Sequence, residues 1–211
     1  MTRSSADQES VLEIGGEAAQ PVEDGQLVAR LQAGDLESLG ILYERHKTRV
    51  YRTALAITHD PSAAEDILQD CFLRIYKYAH RVDTSLPLEP WLYRVTVNLA
   101  YSWETRRNRW QTPLDGVIDR LVSPKRLSPE WQAEASDIHR KVAEAIVSLN
   151  LNQRVVVVLY YLNSLSLKEI AFILDCPVGT VKSRLHYGRE NLHRKLQVGR
   201  KLTPEMIYEF I

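Results

Sequence analysis

The sequence predicts an all-α protein in which two small helical domains are joined by a flexible linker. Apolar residues recur at helical spacing over long stretches, and only nine glycines and nine prolines occur among 211 residues. One internal segment has no sustained period and contains several helix breakers. We therefore predict a disordered acidic tail at 1–24, a first domain at 25–110, a linker at 111–134, a second domain at 135–197 and a C-terminal tail at 198–211.

Charge is balanced in number but uneven along the chain. There are 27 Lys and Arg against 27 Asp and Glu, so the net charge by itself indicates no partner. The segment Thr180–Lys201, however, is rich in Lys and Arg and has a single acid, Glu190. Such segregation predicts a local basic surface for a polyanion, although a solvated basic helix face would give the same pattern.

Local signals divide the first domain into helices. Asp60 is expected to cap a helix that begins at Pro61, since proline is tolerated at the first helical position. Cys71 falls in the apolar stripe of that helix and is expected to be a core residue. A loop over 82–90 contains two prolines, and we expect the next helix to open at Trp91.

The second domain contains the signals of a helix-turn-helix. The run from Val155 to Tyr161 has strand propensity, but we predict a buried helix because a lone strand would leave its backbone groups unpaired. Ser166 and Glu169 have the spacing of a capping box that opens a short helix. The turn at 175–177 ends in Pro177, which separates this helix from the next.

The second helix of this motif has a polar, basic outer face that suits a DNA major groove. Arg can pair with guanine there, and Ser or Thr can contact base edges or phosphates. A helical hairpin with a solvated face is the alternative. The candidate contacts to duplex DNA are Thr180, Lys182, Ser183, Arg184, Tyr187 and Arg189.

The helix from Trp91 has aromatic side chains, arginines and an amide on one face. This combination suits single-stranded DNA through stacking, phosphate contacts and base-edge hydrogen bonds. A half-buried amphipathic helix with a basic end is the alternative. The candidate contacts to melted DNA are Trp91, Arg94, Asn98, Tyr101, Arg106 and Arg107.

No pattern in the sequence indicates an enzyme, a metal site or a cofactor. The six histidines form no motif such as His-Glu-x-x-His, and no Gly-rich phosphate loop occurs. Cys71 and Cys176 lie far apart without metal-ligand spacing, as expected in a reducing cytoplasm. We find no signal peptide and no 18-residue apolar run, so we expect a cytoplasmic protein without membrane insertion.

Two segments of the second domain carry a resemblance to a known family. Ser166-Leu-Lys-Glu-Ile-Ala and Asp175-Cys-Pro-Val-Gly-Thr-Val-Lys-Ser-Arg-Leu-His resemble region 4 of bacterial RNA polymerase sigma factors of the extracytoplasmic-function (ECF) type. The resemblance implies that this helix-turn-helix reads the promoter −35 element, with Ser183 and Arg184 at promoter-facing positions. Tyr187 and Gly188 stand where Arg-Ala is usual.

The first domain resembles sigma region 2. The similarity lies in Leu42-Tyr-Glu-Arg-His, in the segment 60–74 and in the segment 91–100, in the family's order. It implies that the helix from Trp91 reads the melted −10 element, with one base flipped into a pocket and Asn98 facing that DNA. The loop 82–90 departs from the family's usual Arg-Gly-Asp-Ser.

The same resemblance implies that the helix beginning at Pro61 docks on core RNA polymerase. A solvated acidic face near a helix N-terminus is the alternative for its acids. The expected partners are core polymerase, promoter DNA and an anti-sigma factor that holds the protein inactive. The candidate polymerase contacts are Glu65, Asp66, Gln69 and Asp70.

Two alternatives stay open at the level of the sequence. Masking of the basic helix by the acidic tail could replace an anti-sigma factor as the means of inhibition. A stand-alone helix-turn-helix regulator, binding duplex operator DNA without polymerase, is the main functional alternative.

A linker of about 24 residues reaches roughly 80 Å when extended, enough to span some twenty base pairs.

Overall fold

The computed structural model describes residues 22–110 and 137–196, and within these ranges all regular structure is helical. The all-α, two-domain prediction is confirmed. The linker at 111–134, residues 1–21 of the acidic tail and the C-terminal tail lie outside the described residues. The first domain contains α1 (Asp24–Gln32), α2 (Leu36–Thr58), α3 (Pro61–Tyr78), a 3-10 turn (Ala79–Arg81) and α4 (Leu88–Trp110), and the second contains α5 (Asp137–Val147), α6 (Leu151–Tyr161), α7 (Leu167–Leu174) and α8 (Val178–Leu196).

Helix α2 is the centre of the first domain, where it packs on α1, α3 and α4. It ends at Thr58, and the next residue, His59, adopts the left-handed conformation with φ 54°. Asp60 then caps α3 as predicted, since its side chain accepts a hydrogen bond from the Ala63 amide at 3.0 Å, and Pro61 takes the first turn. This sharp reversal lets α3 pack back along α2.

Helix α4 begins at Leu88, three residues before the predicted start at Trp91. Leu88 is buried in the core, which favours winding it into the helix. Pro90 is compatible with this earlier start because it lies in the first turn, where backbone amides have no intrahelical acceptor.

Helix α6 is the centre of the second domain. Every residue from Val155 to Leu159 is fully buried, which confirms that the β-branched run is a core helix. Helix α6 packs on α8 and α7 within its own domain and on α2 of the first domain. Burial on all sides outweighs the modest cost of valine in a helix.

Cys71 lies in the core of the first domain, as its place in the α3 stripe predicts. It is fully buried, and its Sγ lies 3.8 Å from the Thr96 hydroxyl. Burial raises the pKa of the Cys71 thiol to about 11. The thiol is therefore protonated and unreactive at neutral pH.

Candidate nucleic-acid interface

Helices α7 and α8 and the turn between them form the helix-turn-helix. The predicted capping box is present: Ser166 Oγ accepts from the Glu169 amide at 3.3 Å, and Glu169 Oε2 accepts from the Ser166 amide at 2.7 Å. Asp175 ends α7 with φ 49°, and the Cys176 amide donates to the Ala171 carbonyl. These contacts fix the direction in which α8 leaves the turn.

The outer face of α8 is polar and accessible. Lys182, Ser183 and Tyr187 are exposed, while Thr180 and Arg184 are half-buried. The Ser183 hydroxyl donates to the Thr180 carbonyl at 3.0 Å. A duplex could therefore reach the first turns of this face. The opposite face is buried at Val181, Leu185, Gly188 and Leu192.

Arg189, a candidate DNA contact, is held by the second domain's own helix α6. Its Nε donates to the Tyr161 hydroxyl at 2.7 Å. Its guanidinium also lies 5.1 Å from the ring centre of Tyr160 and 5.4 Å from that of Tyr161. Arg189 thus ties α8 to α6, and any DNA contact from it would be made by an already anchored side chain.

Gly188 has a packing role that the sequence did not reveal. A Cβ placed on Gly188 would lie 2.9 Å from Cγ2 of Val157, which is itself fully buried. The absent side chain lets α8 approach α6 closely. This close approach offsets the intrinsic cost of glycine within a helix, which is about 1 kcal/mol relative to alanine.

Two candidate residues on α4 already contact the second domain. Arg94 Nη2 lies 3.6 Å from Asp175 Oδ2, and its guanidinium is 5.7 Å from the ring centre of Phe172. Tyr101 donates its hydroxyl to Asn152 Oδ1 at 2.9 Å. These contacts occupy groups that the sequence assigns to melted DNA.

Asn98 and Tyr101 differ in their surroundings although they lie on the same face of α4. Asn98 is exposed, whereas Tyr101 is half-buried. Burial raises the pKa of Tyr101, and the nearby Arg184 opposes this effect. A candidate residue for duplex DNA and a candidate residue for melted DNA therefore interact electrostatically across the two domains.

Trp91 and Trp103 of α4 are half-buried, whereas Arg106 and Arg107 near its far end are exposed. Trp91 is half-buried against the first-domain core. Arg107 pairs with Glu104 at 3.0 Å and lies 4.9 Å from the ring centre of Trp103. Arg106 is exposed and donates from Nε to the Ser102 carbonyl. Arg107 is exposed as well, so both arginines remain accessible.

Helix α3 carries the candidate polymerase contacts on its outer face. Glu65, Asp66, Gln69 and Asp70 are all exposed. Beyond them two apolar side chains are also exposed at helical spacing, Leu73 with 62% and Tyr76 with 55% of its surface accessible. Sequence reasoning did not single out this pair, although Leu73 lies four residues beyond Gln69 and Tyr76 three beyond Leu73, a spacing that indicated a shared face.

A shallow groove separates this face of α3 from α4. Asp66, Gln69 and Asp70 line one side, and Trp103 and Arg106 line the other. The candidate polymerase surface therefore borders the candidate surface for melted DNA.

The most extensive polar contact between the two domains is made by Arg154 of α6, which sequence reasoning did not identify. Its Nη1 donates to the Ile57 carbonyl at 2.7 Å and to Glu104 Oε1 at 3.3 Å. Its Nη2 donates to the carbonyls of Val147 at 2.6 Å and Leu149 at 3.1 Å. Arg154 and Glu104 are 8% and 4% exposed, so this is a buried ion pair.

The surroundings of Arg154 explain why an arginine suits this position. Ile57 and Val147 lie in the last turns of α2 and α5, where backbone carbonyls lack intrahelical donors. A guanidinium offers five donors in a plane and is attracted to the negative ends of helices. Arg154 thus joins the ends of two helices from different domains.

Within residues 22–110 and 137–196, no group of three or more His, Cys, Asp or Glu could hold a metal ion. Within the same ranges, no helix is long and apolar enough to cross a membrane.

Taken together, the geometry defines a class of protein: a two-domain helical DNA-binding protein with a helix-turn-helix in one domain and an aromatic, basic helix in the other. The sequence matches the family model Sigma-70 region 2 over residues 42–111 and the model Sigma-70, region 4 over residues 139–192. Both matches fall on the corresponding domains.

Named relatives agree with these matches. The chain is 30% identical to the ECF RNA polymerase sigma factor SigW of Bacillus subtilis over 179 residues, which cover 81% of this chain and 95% of that protein. It is also 30% identical to the ECF RNA polymerase sigma-E factor of Escherichia coli over 189 residues, with coverages of 85% and 97%.

A solved structure is similar as well. The sigma factor RpoE in complex with the anti-sigma factor NepR from Bartonella quintana has a TM-score of 0.64 and 25% identity, covering 79% of this chain and 99% of that one. CnrH, solved with the cytosolic domain of CnrY, shares the fold with a TM-score of 0.61 at 21% identity, covering 84% and 99%.

The chain belongs to the ECF family of RNA polymerase sigma factors. Its function is to direct promoter-specific initiation of transcription by RNA polymerase. The stand-alone regulator is accordingly not favoured.

Proposed function

We propose that the chain reads a promoter with two separate surfaces, α8 for the duplex −35 element and α4 for the melted −10 element. The observation that carries this proposal is that each domain presents one helix with an exposed polar face: Lys182 and Ser183 on α8, Asn98 and Arg106 on α4. The buried opposite faces are the cores of the two domains.

The division of work between the helices follows from their chemistry. On α8 the short hydroxyls and the arginine suit base edges and phosphates in a major groove. On α4, Tyr101 offers a ring, and a base can stack on a ring only after leaving its own stack. The proposed boundaries are 25–110 for the domain with α4 and 135–197 for the domain with α8.

Helix α3 is the proposed docking surface for core polymerase. Its acids Glu65, Asp66 and Asp70 and the amide of Gln69 are exposed. The adjoining Leu73 and Tyr76 add apolar area that is unusual on a free surface. A mixed acidic and apolar helix face suits a partner with basic residues around an apolar centre.

An anti-sigma factor is the proposed regulatory partner. The support is the similarity to RpoE of Bartonella quintana, which was solved with the anti-sigma factor NepR. We further propose that the chain is cytoplasmic and has no catalytic activity of its own. Both proposals fit a protein that binds DNA together with RNA polymerase, the enzyme that carries out the catalysis.

The decisive experiment is reconstituted transcription with purified components. Core RNA polymerase, genomic DNA fragments and the full chain should give promoter-specific transcripts that disappear when the chain is omitted. A matched control is the Glu65→Lys/Asp66→Lys variant, which should lose core binding in a pull-down while keeping its helical content. Specific transcripts that persist without the chain would overturn the proposal.

A further inference from the structure

Arg189 is an exposed side chain of α8 whose position is fixed by a buried partner. Its Nε donates to the hydroxyl of Tyr161, the last residue of α6, which is itself only 2% exposed. The guanidinium also lies beside the rings of Tyr160 and Tyr161, which meet edge to face with their centres 5.0 Å apart. One hydrogen bond and two rings therefore restrict the guanidinium to one place.

This anchoring uses only one of the donors of Arg189. A guanidinium has five N–H donors, and the bond to Tyr161 takes the one on Nε, so the four on the two terminal nitrogens are not part of it. The anchoring groups are a neutral hydroxyl and two rings, which do not neutralise the positive charge. Arg107 of α4, in contrast, pairs with the carboxylate of Glu104. The terminal nitrogens of an arginine suit a phosphate, which can accept two parallel hydrogen bonds from them.

The place of Arg189 on α8 separates it from the residues that would meet base edges. With 3.6 residues per turn, Lys182 and Arg189 lie on the same side of the helix, and Ser183 lies about 100° round from Lys182. All three side chains are exposed. A helix in a major groove has bases in front of the middle of its outer face and a phosphate backbone on either side. Ser183 and Tyr187 are in the middle of that face, so Arg189 on the flank would meet a phosphate.

We propose that Tyr161 is a positioning residue, which holds Arg189 as a preformed phosphate clamp beside the base-reading face of α8. The clamp rests on the proposed function, because it assumes that α8 binds the duplex −35 element. Arg189 adds affinity that does not depend on base sequence, and Tyr161 acts only through Arg189. Because the side chain is already ordered, DNA binding does not have to order it, and ordering one long side chain lowers affinity by about two- to tenfold.

The test measures binding of the full chain to two short labelled duplexes. One carries the −35 element of a promoter mapped with this chain and core polymerase, and the other has the same bases scrambled. Tyr161→Phe removes the hydroxyl that accepts from Arg189 but keeps the buried ring. We expect it to bind both duplexes about two- to tenfold more weakly. Its dependence of affinity on salt should stay close to that of the parent chain, because the charge of Arg189 is retained.

Arg189→Ala and the double variant Tyr161→Phe/Arg189→Ala complete the cycle. Loss of one phosphate contact should reduce the slope of log affinity against log salt concentration by about 0.9 in Arg189→Ala. The double variant should bind as Arg189→Ala does, since the hydroxyl has no guanidinium left to position. An unchanged salt slope in Arg189→Ala, or a further loss of affinity in the double variant, contradicts the clamp.

Asn191→Ala is the matched control for packing between α6 and α8. It removes the 3.0 Å bond from Asn191 Nδ2 to Gln153 Oε1, which also joins these two helices, and it leaves Arg189 in place. We expect the affinity and the salt slope of the parent chain. If Asn191→Ala weakens DNA binding as much as Tyr161→Phe does, the loss arises from looser packing of α8 and the clamp is wrong.

The clamp and the proposed function fail in different ways. If the parent chain does not prefer the −35 duplex to the scrambled one, reading by α8 is rejected and the clamp with it. If the preference is present and Arg184→Ala reduces it, but Tyr161→Phe binds as the parent chain does, only the clamp is rejected.

Discussion

Arg154 and Glu104 form a buried ion pair that joins α6 to α4, with Nη1 and Oε1 3.3 Å apart. Burial lowers the pKa of Arg154, and the Glu104 charge acts against this effect. Each of the two buried charges is therefore compensated by the other, and the two charges come from different domains.

The first prediction concerns this pair. Glu104→Gln removes the negative charge that faces the buried guanidinium of Arg154. Removing one partner of a buried ion pair lowers the free energy of unfolding by about 3–5 kcal/mol. Part of this cost is avoided if the domains separate, so we expect thermal unfolding to split into two transitions, one per domain. Calorimetry measures this directly. The Glu104→Gln/Arg154→Met double variant serves as control and should be less destabilised than the sum of its parts.

The second prediction is a pH dependence set by His59. Burial, together with the charges of Arg154 and Arg107, lowers the pKa of His59 to about 3. Below about pH 6.5 the unfolded chain takes up a proton that the folded chain excludes. The free energy of unfolding should therefore fall as pH falls from about 7 to about 5, with a slope approaching 1.4 kcal/mol per pH unit.

His59→Asn is the matched variant for this effect. Asparagine tolerates the left-handed conformation that His59 adopts and does not titrate in this range. Urea unfolding at several pH values should show a flatter pH dependence in the variant. An unchanged slope would assign the pH dependence to other groups.

The third prediction tests the close approach of α8 to α6. In Gly188→Ala the new methyl group would meet Val157 Cγ2 at 2.9 Å, and overpacking of this kind costs about 1–3 kcal/mol. This exceeds or cancels the gain in helix propensity of about 1 kcal/mol. We expect lower stability in chemical denaturation, with partial recovery in Val157→Ala/Gly188→Ala.

Gly179→Ala is the control in the same helix. Nothing lies within 4 Å of a Cβ at that position, so the change should be neutral or stabilising by up to about 1 kcal/mol. If Gly188→Ala and Gly179→Ala lower the stability equally, helix propensity and the contact with Val157 do not explain why glycine occupies position 188.

The fourth prediction separates base reading from phosphate binding on α8. Arg184→Ala should cost about 1–3 kcal/mol of affinity for the cognate −35 duplex if the side chain makes a bidentate base contact. Lys182→Ala should weaken binding to all sequences alike and flatten the dependence of affinity on salt. Titrations of labelled duplex at two salt concentrations distinguish them. Unaltered binding by Arg184→Ala would place the reading face elsewhere.

The fifth prediction concerns melting and separates the ring of Tyr101 from its hydroxyl. Tyr101→Phe loses the bond to Asn152 but keeps the stacking surface, so open complexes should form at least as readily as in the parent chain. Tyr101→Ala and Asn98→Ala should bind closed promoter DNA normally but give fewer open complexes. Permanganate footprinting measures the open fraction. Normal opening by both alanine variants would mean that these residues are structural.

Much of the helical framework could be predicted because its causes are local. The cap at Asp60, the capping box at Ser166 and the apolar stripe around Cys71 depend on residues a few positions apart. The start of α4 was placed three residues late because burial of Leu88 is a tertiary effect. Local signals contain no information on that burial.

The contacts between the two domains could not be predicted from the sequence, for a physical reason. Arg154 binds mainly to backbone carbonyls, and every residue has a carbonyl, so Ile57 carries no signature of its role. The anchoring of Arg189 on Tyr161 and the contact of Gly188 with Val157 likewise depend on where α6 lies relative to α8. Surface exposure of a face is readable from periodicity, but what a neighbouring domain places over it is not.

The order of the two domains along the chain has a consequence for the newborn protein. Helices α1–α4 are contiguous and joined by short connections, so the first domain can fold at the ribosome before α5–α8 exist. About a hundred residues remain to be made after α4, which takes roughly 5–20 seconds at ordinary elongation rates. During that interval the face of α4 that carries Arg94 and Tyr101 has no contact with α6 or α7.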